Sequence, residues 1–222
     1  MPANTRPRYI HAMRFASLTA LYDPVVAMTS RERAFKSALL EGAALQAGQR
    51  VLDVGCGTGT LACMALLREP GLEMHGLDGD ADILLRARRK AAQHGVSMQL
   101  AHGMSCQLPY PDQHFDSVLS SLFFHHLNPA SKLLTLAEIL RVLKPGGRLH
   151  ICDWGAAQDP LMRALFLIIQ LVDGFETTRE SVGGKLPGMM AQTGFESIHV
   201  ENRMRTMLGT LEIFRAGKAG SP

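Results

Sequence analysis

The chain has no Cys-x-x-Cys pair. Its four cysteines, Cys56, Cys63, Cys106 and Cys152, are scattered, and no His/Cys spacing suits a zinc site. A disulfide framework is excluded, and the thiols read as reduced and cytosolic. Long apolar runs are also missing. The most apolar stretch, Leu161 to Val172, contains Arg163 and Gln170 and is too short to span a bilayer. The opening segment MPANTRPRYIHAMRFASL holds basic residues but no unbroken apolar core of the signal-peptide kind. There is no block of Lys and Arg either: the formal net charge of +3 is spread along the chain. That argues against nucleic acid as a partner. Internal repeats and low-complexity tracts are absent. The expectation is a soluble cytoplasmic protein with no stable membrane insertion and a small-molecule partner.

What is present is an alternation. The 222 residues suffice for one domain with a real core. Residues 1–48 read as a helical arm in two pieces interrupted by Pro24. A short β-branched run then leads into glycine at VLDVG. LEMHGLD reads as a strand, DADILLRARRKAAQHG as a helix ended by Gly95, and SMQLAHG as a strand. HFDSVLSSL reads as a buried strand. NPASKLLTLAEILRV reads as a helix with Asn128 at its N-cap and Pro129 in its first turn. Pro145-Gly146-Gly147 reads as a turn, and RLHICDW as the next strand. Strands alternating with helices of this length predict an α/β fold with a parallel sheet covered on both faces. Beyond Trp154 the rhythm changes. A long apolar helix comes first, then SVGGKLPGMMAQTG, then two strands, FESIHVEN and RTMLGTLEIFRA, at least one of them antiparallel. The main domain is placed at 49–215, with 155–192 as a helical roof within it.

The stretch VLDVGCGTGTLA, Val51 to Ala62, carries the chemistry. The first strand delivers Gly55, Gly57 and Gly59 to the carboxyl end of the sheet, where ligands of such folds bind. Glycine allows positive φ and removes Cβ, so a ligand can lie against backbone. The spacing is G-x-G-x-G, whereas the pyrophosphate fingerprint is G-x-G-x-x-G. Asp53 stands two residues before the first glycine. An acid there repels pyrophosphate and suits a cation. Asp78, nineteen residues after Gly59, ends the second strand, where a carboxylate can accept from both ribose hydroxyls. A ligand with a ribose, no phosphate and a positive charge is implied, and S-adenosylmethionine meets all three conditions. The bland alternative is a tight turn with no ligand.

With these residues in view, the chain resembles the seven-stranded, Rossmann-like class I S-adenosylmethionine-dependent methyltransferases. VLDVGCGTG is close to their first motif, and GLDGDADILLRAR is similar to their second-strand motif. LPYPDQHFDSVLSS and LRVLKPGGRLHICDW look like their fourth- and fifth-strand regions. FFHHL and LKPGGRL are most similar to the small-molecule branch that includes ubiquinone/menaquinone-biosynthesis-type enzymes. The resemblance implies a three-layer, doubly wound sheet of order 3-2-1-4-5-7-6 with strand 7 antiparallel. It places Asp53, Gly55, Cys56, Gly57, Thr58 and Gly59 against the methionine part of the cofactor, and Asp78 and Gly79 at the ribose. Gly103, Met104 and Ser105 fall at the adenine, where the family often has an acid at the Met104 position. Ser120, Ser121, Leu122 and Phe123 run beside the methyl.

The reaction implied is in-line displacement at the sulfonium methyl, which leaves S-adenosylhomocysteine, with the protein supplying position and electrostatics. His125 and His126 are candidate proton acceptors. The competing reading is that they anchor the following helix. Tyr22 in the arm is a third catalytic candidate, with Tyr9 and His11 behind it. The segment after the fourth strand lacks the Asn/Asp-Pro-Pro-aromatic motif of nucleobase and glutamine amino methyltransferases. Asp153 has no evident carboxylate partner, so no metal is expected. Leu165, Phe166, Ile169, Val172, Met189 and Met190 either roof an apolar pocket or pack the core. The acceptor is expected to be small and apolar or aromatic. Two other functions compete: a protein of this fold that binds cofactor without transferring methyl, and a nicotinamide-dinucleotide oxidoreductase.

Overall fold

The apolar run before the glycines becomes the middle of a sheet. The computed structural model describes residues 32–173 and 183–220. In it β1 (Arg50–Val54) lies parallel between β2 (Glu73–Asp78) and β4 (Phe115–Ser121). Its last four residues are buried on both faces, as an interior parallel strand requires. With β3 (Gln99–His102), β5 (Leu143–Trp154), β6 (Glu196–Thr206) and β7 (Gly209–Gly217) the sheet has seven strands in the order β3-β2-β1-β4-β5-β7-β6. β7 runs antiparallel to both β5 and β6. The expected order and the antiparallel strand 7 are both observed.

The sheet has a core on each face. On one, α1 (Glu32–Ala43) and α2 (Thr60–Arg68) pack Phe35, Leu39, Leu61 and Ala65 over Val51, Leu119, Cys152 and Ile213. Phe166 of α5 (Pro160–Asp173) joins this cluster. On the other, α4 (Pro129–Val142) and α6 (Leu186–Thr193) set Leu136, Ile139 and Met190 against Leu52, Val118, Ile151 and Phe214. α3 (Ala81–Gln93) begins where the Asp80 carboxylate accepts from the N–H groups of Asp82 and Ile83 at 2.9 and 3.2 Å. Asn128 caps α4 by accepting from Ser131 N at 2.8 Å, with Pro129 in the first turn. Among the described residues no helix is long and apolar enough to cross a membrane.

Three boundaries differ from the sequence reading. Pro145-Gly146-Gly147 does not end the pairing. β5 starts at Leu143, opposite Phe115, and resumes at Arg148 opposite Ser117, so the turn residues bulge out of a continuous ladder. The last two strands meet four residues later than read: Arg203 to Thr206 complete β6, and Met207-Leu208 form the hairpin turn. Within the helical arm, α1 is part of the core. Its Phe35, Leu39, Leu40 and Ala43 are at most 5% exposed. Residues 1–31, with Tyr9, His11, Tyr22 and Pro24, lie outside the described residues.

Candidate active site

β1 to β5 run parallel, so their carboxyl ends lie at one edge of the sheet. β1 is followed by Gly55, Gly57 and Gly59, whose φ values of 69°, 52° and 73° are all left-handed. The turn is tied down by backbone bonds. The N–H groups of Gly55 and Cys56 donate to Leu77 O at 2.9 and 3.0 Å, and Gly59 N donates to Cys56 O at 2.9 Å. A Cβ on Gly57 would meet no atom within 4 Å, so this stretch of backbone faces open space.

Two carboxylates flank the turn. Asp53 is 1% exposed, and neither of its oxygens has a hydrogen-bond partner among the described residues. Burial raises its pKa to about 7. The Lys36 charge from α1 opposes the shift, and Asp78 adds to it. Asp78 is half-buried. Its Oδ2 accepts from Gly57 N at 2.9 Å and its Oδ1 from Asp80 N at 3.0 Å. Each oxygen keeps a lone pair for a further donor. Burial raises the Asp78 pKa, and the backbone N–H groups act against that shift.

These features fit S-adenosylmethionine. A buried carboxylate with nothing to accept suits a ligand ammonium. A turn whose three glycines lack Cβ lets the ligand lie against it, and a half-satisfied carboxylate at the end of β2 suits ribose hydroxyls. The other positions are more varied. Cys56 is buried, and its carbonyl takes the Gly59 N–H. Thr58 Oγ1 accepts from Lys90 Nζ at 2.7 Å. Gly79 O is 3.0 Å from His102 Nε2, and Gly103 N donates to Asp78 O at 3.0 Å. Met104 and Ser121 are half-buried at the same edge.

Two of the serine hydroxyls have partners within the protein. The Ser105 hydroxyl is buried and bonded to Thr135 Oγ1 of α4 at 2.8 Å. Ser120 is 0% exposed and donates to Val54 O at 2.9 Å, bracing β4 against β1. Both hydroxyls satisfy buried protein groups, and burial of this kind is not legible from spacing alone.

The segment after β4 is strained. Leu122 has φ 51°, a left-handed value rare for a branched side chain, and its N–H donates to Cys152 O at 2.8 Å. Phe123 then folds back over Gly55. His125 and His126 follow in a single 3-10 turn, their rings 3.9 Å apart. The structure separates the pair. His125 is 2% exposed and its Nδ1 lies 2.7 Å from Asp153 Oδ1, at the end of β5. His126 is half-buried, and burial, then the neighbouring His125, hold its pKa well below the ordinary value. On the roof, Phe166 packs edge-on against Trp154 at 5.5 Å and belongs to the core, as does Met190. Leu165 and Met189 are half-buried, and the side chains of Ile169 and Val172 lie outside the described residues. Among the described residues no cluster of His, Cys, Asp and Glu is arranged to hold a metal ion.

Comparison with known proteins agrees with this geometry. A family model described as a methyltransferase domain matches residues 51–147. The demethylmenaquinone methyltransferase of Lactiplantibacillus plantarum is 30% identical over 220 residues, covering 87% of this chain and 92% of that protein. The chain belongs to the class I S-adenosylmethionine-dependent methyltransferases. Its methyltransferase kinship extends to the demethylmenaquinone methyltransferase of Deinococcus radiodurans, 36% identical over 154 residues, or 68% of this chain. That match spans only 63% of the relative's length. A solved [4+2]-cyclase shares the methyltransferase fold with a TM-score of 0.66 at 20% identity, covering 85% of this chain and 82% of that one. The fold therefore does not settle the reaction by itself. Sequence reasoning named Asp153 and Leu122 without the contacts they make here, and it missed Lys36. Asp153 at a strand end was the one visible signal, since acids at carboxyl ends of parallel strands face the site.

Proposed function

We propose that this methyltransferase moves a methyl group from S-adenosylmethionine to a small apolar acceptor of the quinol type. The observation that carries the reading is the Asp53 carboxylate. It is buried and unpartnered among the described residues, beside three left-handed glycines and Asp78. An unsatisfied buried carboxylate is costly in the free protein, and a ligand ammonium offsets that cost. Asp53 before the first glycine and the G-x-G-x-G spacing disfavour the pyrophosphate of a dinucleotide, which weighs against the oxidoreductase.

When bound, S-adenosylmethionine supplies an electrophilic sulfonium methyl. Asp53 holds its ammonium, and the backbone of Gly55 to Gly59, with Cys56 and Thr58, lets its methionine part lie close. Asp78 and Gly79 take the ribose. Gly103 and Met104, with the Ser105 backbone, border the adenine. The backbone of Ser120 and Ser121 leads past the methyl to the histidines. His125 accepts the proton of an acceptor hydroxyl, with His126 packed on its ring; Tyr22, the third candidate that the sequence offers, lies outside the described residues. The segment 155–192 covers the acceptor. The names of the relatives, both demethylmenaquinone methyltransferases, support an acceptor of quinol type. The four free cysteines support a reducing, cytoplasmic setting.

The test is calorimetric titration with S-adenosylmethionine, S-adenosylhomocysteine and NADH. It is followed by turnover with a reduced short-chain demethylmenaquinone, read as S-adenosylhomocysteine release and acceptor mass gain. Micromolar binding of the first two ligands with turnover is the expected result. Binding without turnover on this or other small acceptors favours the cofactor-binding alternative. Binding of NADH alone overturns the reading.

A further inference from the structure

The end of the sheet away from the glycine turn holds a polar cavity of about 180 Å³, where β4 and β5 begin and α1 ends. One wall is rigid. The Pro145-Gly146-Gly147 bulge is pinned from behind: Gly146 N donates to Lys218 O at 3.1 Å, Lys218 N to Gly147 O at 2.9 Å, and Lys218 Nζ to Leu143 O at 2.7 Å. The charges that line the cavity are unequal. Asp116 is engaged on both oxygens, by Lys144 Nζ at 2.6 Å and by Arg50 N at 2.8 Å, so it and Lys144 cancel. Arg148 is exposed, and its guanidinium has no ion pair or hydrogen bond among the described residues. Ser117 is 4% exposed and lines the cavity, and its hydroxyl has no partner among the described residues. Ser117 and Arg148 are paired across β4 and β5, so their side chains leave the sheet side by side. Gln49 Oε1 accepts from Gln46 N at 3.0 Å, which leaves the Gln49 NH2 to point elsewhere.

The unengaged groups are therefore donors: a guanidinium fork, a hydroxyl and an amide NH2, with one uncompensated positive charge among them. We propose that this cavity is a second ligand site, which takes a small molecule by a carboxylate or phosphate group held on Arg148 and Ser117. Either oxyanion accepts two parallel bonds from the fork, and a third from the hydroxyl beside it. The buried hydroxyl, costly to leave unpaired, gains its partner. The volume is several times the roughly 30 Å³ of one water, which leaves room for a short body behind the anionic group. The facing wall is the last turn of α1, at Ala43 and Ala44. Ala44 N turns back to Leu40 O at 3.2 Å, and the carbonyls that follow are acceptors, which suit a hydroxyl on that body. The cofactor edge lies at the opposite ends of the same strands, so the two ligands do not compete. The inference does not depend on the methyl-transfer reading.

The experiment is a 1H–15N correlation titration of the full chain with glycerol 3-phosphate, with malate and, as a neutral control, with glycerol. Each titration is run with and without S-adenosylhomocysteine. The expected result is a saturable shift of the Arg148 Nε–H signal and of the Ser117 and Gly147 amides with an anion, and none with glycerol. The anion's dissociation constant is the same in both series. Arg148→Gln weakens the binding at least about tenfold and leaves the melting temperature unchanged, because that side chain holds nothing within the fold. Ser117→Ala weakens it about fivefold and carries the test if Arg148→Gln fails to fold. A response to one anion alone upholds the site and identifies its anionic group as phosphate or carboxylate. No saturable shift with either anion overturns the proposal, and so do shifts that survive both substitutions. Loss of the anion's shifts on adding S-adenosylhomocysteine also overturns it, because the anion then sits at the cofactor edge.

Discussion

The ring of Phe123 covers Gly55 so closely that a Cβ on that glycine would overlap Phe123 Cδ2. The turn after β4 and the glycine turn after β1 are thereby locked to one another. Gly55→Ala meets both the left-handed backbone penalty of about 1–2 kcal/mol and displacement of that ring. Gly57→Ala meets the backbone penalty alone, because nothing lies within 4 Å of its Cβ. Thermal melts of the free protein should therefore show a clearly larger loss for Gly55→Ala. Calorimetry should show that Gly57→Ala also weakens cofactor binding, since its methyl projects where the ligand lies. Equal melting temperatures for the two variants would contradict the packing.

Asp78 joins the glycine turn to the ribose. Asp78→Ala removes the acceptor of Gly57 N as well as the ribose contact. The expected loss in S-adenosylhomocysteine affinity is about 1.5–3 kcal/mol for hydrogen bonds to a charged group. An unchanged dissociation constant shows that the ribose lies elsewhere.

Asp53 predicts an unusual pH dependence. Its folded pKa is raised to about 7 from the ordinary 3.8. Between those values the folded state holds a proton that the unfolded state has lost, so the group's contribution to stability falls as pH rises. Asp53→Asn removes that penalty. The variant's stability gain over wild type should grow from pH 4 to pH 7 and level off above, reaching on the order of a few kcal/mol. Cofactor binding behaves in the opposite way. Wild-type affinity for S-adenosylhomocysteine should strengthen as pH rises through about 7, and Asp53→Asn should bind weakly at every pH. Lys36→Met removes the cation that lowers the Asp53 pKa, so the midpoint of the binding curve should move to higher pH. Calorimetry across the range, with chemical denaturation alongside, reads both effects.

Ser120→Ala tests the role of the hydroxyl on β4. The hydroxyl's bond to Val54 O is buried, and its removal leaves that carbonyl short of a donor. A stability loss of about 1 kcal/mol or somewhat more is expected, with cofactor affinity unchanged. A tenfold loss of affinity at unchanged stability would return Ser120 to the cofactor contacts.

The amino-acid sequence by itself determined the strand and helix alternation, the G-x-G-x-G turn and the acids at Asp53 and Asp78. Each of these is written in residues close together in the chain, through periodicity, caps and the conformational freedom of glycine. Tertiary structure decided the rest. Asp153 and His125 are 28 residues apart, and only the pairing of β4 with β5 brings the carboxylate to the imidazole. The pair His125-His126 looked equivalent in sequence, and the single 3-10 turn gives one ring to Asp153 and leaves the other half-buried. Ser105 and Ser120 looked like ligand contacts because they fall at positions that line the cofactor in the family the chain resembles. Their hydroxyls were claimed by Thr135 on α4 and Val54 on β1, since a buried polar atom must find its partner wherever packing puts one.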